Sequence, residues 1–102
     1  MNRGDKWSRT ENEIVVDAYL RLLEAEKSGH HLVKAEVRRE VEARTGRSRG
    51  SVEYKMQNVS AVMQALHRDW VQGYQPASNY QSDLEDVVRE RLGDSDLDVV
   101  RG

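Results

Sequence analysis

The chain has 102 residues, 37% hydrophobic and 33% charged, with one proline, no phenylalanine, no cysteine and a formal net charge of −2. That size holds one domain with a modest core, and the composition suits a wet-surfaced helical domain better than a strand-rich sandwich. Disulfides and thiolate metal sites are excluded, no apolar run approaches the roughly 18 residues of a membrane span, and MNRGDKW lacks a signal-peptide apolar region, so a cytoplasmic protein is expected.

Residues 1–6 are polar and are expected to fray as a disordered N-terminus. Trp7 follows, and then Ser8-Arg9-Thr10-Glu11 has the spacing of a capping box, a pattern repeated from Thr10 to Glu13. Ile14, Val15, Ala18, Tyr19, Leu22 and Leu23 recur at helical spacing, and Glu11, Glu13 and Asp17 sit where the macrodipole favours acids. These signals predict a first helix over about 9–27, ended by Ser28-Gly29, with His30-His31 in a short loop. A second helix is expected from Lys34 to Thr45. Its apolar positions are few, Val37 and Val41 with Leu32 and Val33 just ahead, so it must be clamped between its neighbours.

Gly46 is suited to close that helix in a left-handed conformation, and Ser48 to cap the next. In the third helix, read as about 49–67, Val52, Met56, Val59, Met63 and Leu66 fall on one face. The opposite face carries Gly50, Tyr54, Gln57, Ala61, Gln64 and Arg68. Gly73 and Pro76 then mark a connection, although Trp70, Val71 and Tyr74 are too apolar for a free linker and should pack back on the bundle. Ser78 is the expected cap of a fourth helix with Tyr80, Leu84, Val87, Val88 and Leu92 on its apolar face. Residues 93–102 read as an acidic linker or disordered tail, and a chain stopping at Gly102 is compatible with a module of a longer protein. The expected fold is all-α: residues 7–92 form a three-helix bundle with a helix-turn-helix, extended by an ordered loop and a fourth helix.

Charge is unevenly placed. Residues 34–55 carry seven basic and four acidic groups, whereas residues 83–102 carry three basic and seven acidic. A helix–glycine turn–helix whose second member starts among arginines is the form that enters a DNA groove. Arg47, Ser48, Arg49 and Ser51 surround a helix N-terminus, where free N–H groups and the dipole favour a phosphate. Lys55 and Arg44 are further phosphate-contacting candidates. Tyr54 and Gln57 are the candidates for base contact, since glutamine pairs bidentately with adenine and an aromatic ring meets a thymine methyl. Each has a plainer reading: solvated arginines, a tyrosine packed on a neighbour, glutamines as helix formers. Arg38, Arg39 and Arg44 could equally pair with Glu36, Glu40 or Glu42, and Asn58 could pin the loop around 70–76.

No catalytic, metal or cofactor site is expected. His30 and His31 are adjacent and poorly placed to converge with His67 on one ion, and neither a phosphate-cradling glycine loop nor a cysteine nucleophile is present. The competing function is a protein-interaction or dimerisation module docking through the fourth helix or the Tyr54 face. A hydrolase-like use of His67 and Asp69 is a third, remote reading.

The stretch from Trp7 to Glu11 with Val16 and Tyr19, and then Gly46 to Ser48 with Ser51, Val52 and Lys55, resembles a Myb/SANT-like three-helix domain. A closer similarity is to the helical N-terminal module of bacterial HNH-type and modification-dependent restriction endonucleases. In that family W-[ST]-R-x-E, K-A-x-x-R, G-R-S-R-G-S-V-E-x-K-x-x-N-[IV]-S-A-V and G-Y-x-P-x-x-N-[YF]-Q occur together. Their counterparts here are Trp7 to Glu11, Lys34 to Arg38, Gly46 to Val62 and Gly73 to Gln81. The resemblance implies an accessory module that binds double-stranded DNA in a restriction, bacterial defence or DNA-processing system. It implies a nuclease domain or subunit as partner and no nuclease activity within these residues. A homodimer is compatible with it, and no membrane is implied.

Overall fold

The computed structural model describes residues 6–93. Among them four helices form and no strand: α1 (Arg9–Ser28), α2 (Lys34–Thr45), α3 (Arg49–Ala65) and α4 (Ser82–Leu92). α1 and α3 make the central pair, packing on each other and each on both α2 and α4, whereas α2 and α4 do not touch. The expected disordered stretch 1–6 and tail 93–102 fall outside the described residues except at Lys6, which pairs with Asp83 at 3.1 Å, and Gly93.

Local chemistry sets the helix ends. The first of the two overlapping capping boxes is the one used: the Glu11 N–H donates to Ser8 Oγ at 3.1 Å, and the Ser8 N–H donates to Glu11 Oε1 at 2.9 Å. Gly46 takes φ 72°, a left-handed conformation free of Cβ strain only for glycine, and its N–H returns to the Glu42 carbonyl at 2.8 Å. Two residues later Ser48 Oγ accepts from the Ser51 N–H at 3.2 Å. Three residues therefore separate α2 from α3, the compact turn that a helix-turn-helix requires.

The core follows the apolar stripes. Val15, Val16, Tyr19 and Leu22 of α1 meet Val37 and Val41 of α2, Val52, Met56, Val59 and Met63 of α3, and Leu84, Val87 and Val88 of α4. Because α4 spends its apolar face on the core, that face is not available for docking a partner. The connection after α3 packs back as expected, with Val71 and Tyr74 buried and Trp70 half-buried. It is tied down by Tyr19, whose hydroxyl accepts from the Val71 N–H at 2.8 Å and shares a hydrogen bond with Ser60 Oγ at 2.7 Å.

Three expectations need correction. α3 stops at Ala65, not His67: the chain leaves the helix so that the Arg68 N–H can return to the Met63 carbonyl at 2.9 Å, and His67 adopts φ 61°. Ser78 does not cap the fourth helix, which starts at Ser82 after an extended Gln81. The Ala77 N–H donates to the Gln57 carbonyl at 3.1 Å and Asn58 Nδ2 donates to the Ala77 carbonyl at 2.6 Å, so this stretch lies along α3 and cannot begin coiling. Tyr80 thus precedes α4 and packs on the core from the connection. Leu32 and Val33 stay exposed (38% and 40%), because both precede the first helical residue and Val33, the α2 cap, is extended.

Tyr19→Phe should lower stability by about 1–3 kcal/mol, since it leaves a buried Val71 N–H and the Ser60 hydroxyl without their partner. A urea titration checks this. The midpoint should fall with an unchanged slope, because the surface exposed on unfolding is the same.

Candidate nucleic-acid interface

The eight residues expected to meet DNA occupy α2's last turn, the Gly46 turn and the first three turns of α3. The structure separates them into two groups. Arg44, Ser48, Arg49 and Tyr54 are exposed, and Ser51 and Gln57 are half-exposed. Arg47 and Lys55 are buried, at 7% and 9% exposure.

Arg47 turns inward because Glu11 receives it. Its Nη2 donates to Glu11 Oε1 at 2.8 Å and its Nε to Glu11 Oε2 at 3.2 Å, a two-point carboxylate grip that guanidinium geometry favours. Nη2 also donates to the Lys6 carbonyl at 3.3 Å, and the guanidinium lies 5.0 Å from the centre of the Trp7 ring. Arg47 and the Ser8 N–H together hold the Glu11 carboxyl below its ordinary range. Arg47 therefore fixes the α2–α3 turn against the start of α1.

Lys55 lies beside it. Its Nζ sits 5.1 Å from the Trp7 ring centre, and among the described residues it makes no ion pair or hydrogen bond. Burial lowers its pKa from the ordinary lysine value, and the positive charge of Arg47 adds to that, while Asp83 and Glu11 oppose it. Asn58 follows the plainer of its two readings, bonded to the connection at Ala77. Arg38 likewise pairs with its neighbours, Glu42 at 2.7 Å and Glu53 at 3.6 Å.

The exposed group has weaker ties. Arg49 pairs with Glu53 at 3.3 Å across one helical turn, with 69% of its side chain exposed, and such a surface pair is worth roughly 0–1 kcal/mol. The first turn of α3 holds no acid. Tyr54, 43% exposed, stands between two clefts, and its hydroxyl donates to the Asn79 carbonyl at 3.4 Å. One cleft, of about 490 Å³, is lined by Lys6, Trp7, Arg47, Gly50, Ser51, Tyr54, Lys55, Asn58, Asn79, Tyr80 and Gln81: three cations and no carboxylate. Three further clefts each include an acid: Glu53 in one, Glu24 and Asp69 in another, Glu26 and Asp69 in the third.

Sequence reasoning missed the far wall of that cleft. Lys6 falls in a stretch expected to fray, and Asn79, Tyr80 and Gln81 in one expected to be helical. The only signal pointing to the latter is the N-[YF]-Q ending of the fourth resembling string. Among the described residues no group of three histidine or acidic side chains is placed to hold a metal ion, and Asp69 is paired with Lys27 at 3.0 Å. No helix among them is long and apolar enough to cross a membrane.

Arg47→Ala should cost about 3–5 kcal/mol by stranding the mostly buried Glu11 carboxylate, visible as a large fall in denaturation midpoint. Lys55→Met should do the reverse and stabilise the domain at neutral pH. In the alkaline window below the ordinary lysine pKa, the folded state holds fewer protons at Lys55 than the unfolded chain, so wild-type stability rises with pH. The advantage of Lys55→Met should therefore shrink as pH is raised, which melting curves in a buffer series will reveal. No family model, curated protein or solved structure matches this chain.

Proposed function

We propose that this domain binds duplex DNA through α2, the Gly46 turn and the solvent-facing start of α3. The observation that supports this best is an exposed, acid-free helix start beside a cleft of three cations, in a chain whose net charge is negative. A B-DNA major groove is roughly 12 Å wide, about the diameter of one helix with its side chains. The connection bonded to Gln57 and Asn58 runs along the middle of α3, so the helix enters by its first turns and not along its length. Helix-turn-helix proteins use the N-terminal residues of the second helix in the same way.

In this arrangement Arg44, Ser48, Arg49 and Ser51 meet phosphates, Tyr54 reaches the groove floor or a sugar, and Gln57 stands at the limit of reach. Arg49 exchanges its weak bond to Glu53 for a phosphate oxygen, a partner it grips more strongly. Arg47 and Lys55 hold the turn and the cleft and are not the first phosphate contacts. The resemblance of four strings to the restriction-endonuclease module supports a role as accessory DNA-binding domain to a nuclease domain or subunit.

The test is binding of wild type and an Arg44→Ala, Arg49→Ala double variant to a duplex over a series of salt concentrations. The double variant should bind more weakly on every sequence, and its log K against log salt slope should be shallower by about 1.8, two phosphates' worth. Both residues are exposed, so folding should be unaffected. Equal affinity and slope for the two proteins would remove α3 as the contact surface, and a concentration-dependent mass without any duplex shift would favour the protein-interaction reading.

A further inference from the structure

The cleft beside α3 has its own chemistry, independent of whether a duplex docks outside it. Its volume, about 490 Å³, lies in the roughly 300–1,000 Å³ range of small-molecule sites, well beyond what a bare anion fills. Three cations line it, but two are already matched: Lys6 by Asp83 at 3.1 Å and Arg47 by Glu11 at 2.8 Å. Lys55 is the exception. It is 9% exposed, lines the cleft, and has only the Trp7 ring against its ammonium among the described residues. Burial holds part of that ammonium away from water and lowers its pKa, so an anion entering the cleft meets a cation with no carboxylate already bound to it. An ammonium that lines a cleft without an anion of its own among the described residues points to an anionic ligand that completes it.

The remaining lining describes that ligand. Tyr54 and Tyr80 offer aromatic surface on which a planar ring stacks, and Asn79 and Gln81 offer amide donors and acceptors on the far wall. Gly50 adds no side chain to the lining, and a Cβ built there meets nothing within 4 Å. We infer that this cleft binds a single nucleotide, its phosphate on Lys55 and its base against Tyr54 and Tyr80. The nucleotide is either free or the phosphorylated end of a strand, since the two present the same phosphate and ring. Binding requires charged Lys55 and an unfilled cleft, and it does not depend on the duplex-binding reading.

The experiment is a titration of the isotopically labelled domain followed by backbone amide NMR. The probes are inorganic phosphate, deoxyadenosine, deoxyadenosine 5′-monophosphate and a 5′-phosphorylated tetradeoxyadenylate. The monophosphate should give saturable shifts at residues 50–58 and 79–81, at least tenfold tighter than either deoxyadenosine or inorganic phosphate. Lys55→Met should weaken it at least tenfold while melting no lower than wild type, and Tyr54→Ala should erase its preference over inorganic phosphate. Gly50→Leu, which places an isobutyl group in the lining and leaves Lys55 in place, should also weaken binding at least tenfold, and it decides the matter if Lys55→Met folds poorly. Tighter binding of the tetranucleotide assigns the site to a strand end, and tighter binding of the monophosphate to a free nucleotide. Nucleoside binding as tight as nucleotide binding, shifts confined to other residues, or affinity unchanged in Gly50→Leu would each overturn the site.

Discussion

Glu11 does two jobs with one carboxylate. Oε1 accepts from the Ser8 N–H and closes the capping box of α1, and the same group grips Arg47 from the turn between α2 and α3. The start of the first helix and the start of the third are thereby fixed to each other through a pair that is mostly out of solvent. Charge pairs at exposed positions elsewhere, such as Arg9 with Glu13 or Arg21 with Glu40, add little to stability by comparison. Together with the core packing of Val52 and Met56, this contact fixes the direction in which α3 presents its first turn.

Trp7 forms the floor of that arrangement. Its ring is nearly buried and takes both the Arg47 guanidinium and the Lys55 ammonium within about 5 Å of its centre. Two like charges so close would repel, and the ring's negative face and Glu11 together make their proximity tolerable. The result is a patch of positive potential inside a molecule that is acidic as a whole, facing a cleft with no carboxylate in its lining. Net charge is therefore a poor guide to partners here. What matters within a Debye length of roughly 8 Å is the local set of groups.

The connection between α3 and α4 has an equal share in defining the surface. Tyr19 holds its first part at Val71, and Asn58 and the Gln57 carbonyl hold its later part at Ala77. These bonds run between elements 19 to 52 residues apart, and they convert an apparently loose, glycine- and proline-marked stretch into the second wall of the cleft. The same connection borders α3 from Gly50 to Asn58 through residues 79–81, which restricts how any large partner approaches.

The helices themselves were legible from the residues. Ser8-x-x-Glu11, Gly29, Gly46 and Ser48 are local devices whose hydrogen bonds lie within a few residues, and 3.6-residue spacing of valine, leucine and methionine needs no knowledge of neighbours. Sequence pattern alone thus determined an all-α chain, three of the four helix starts, the core face of α3 and the helix–turn–helix spacing. Only the tertiary structure decided that Arg47 faces Glu11 and not solvent, that Lys55 is buried without a carboxylate, that Ser78 belongs to an extended stretch, and that Lys6 and residues 79–81 complete a cleft. Each of those depends on groups far apart in the chain, and a long side chain at a helix shoulder carries no mark in its own neighbourhood of which way it turns. Local hydrogen bonding is written along the chain, whereas the destination of a charge is set by whatever the fold brings opposite it.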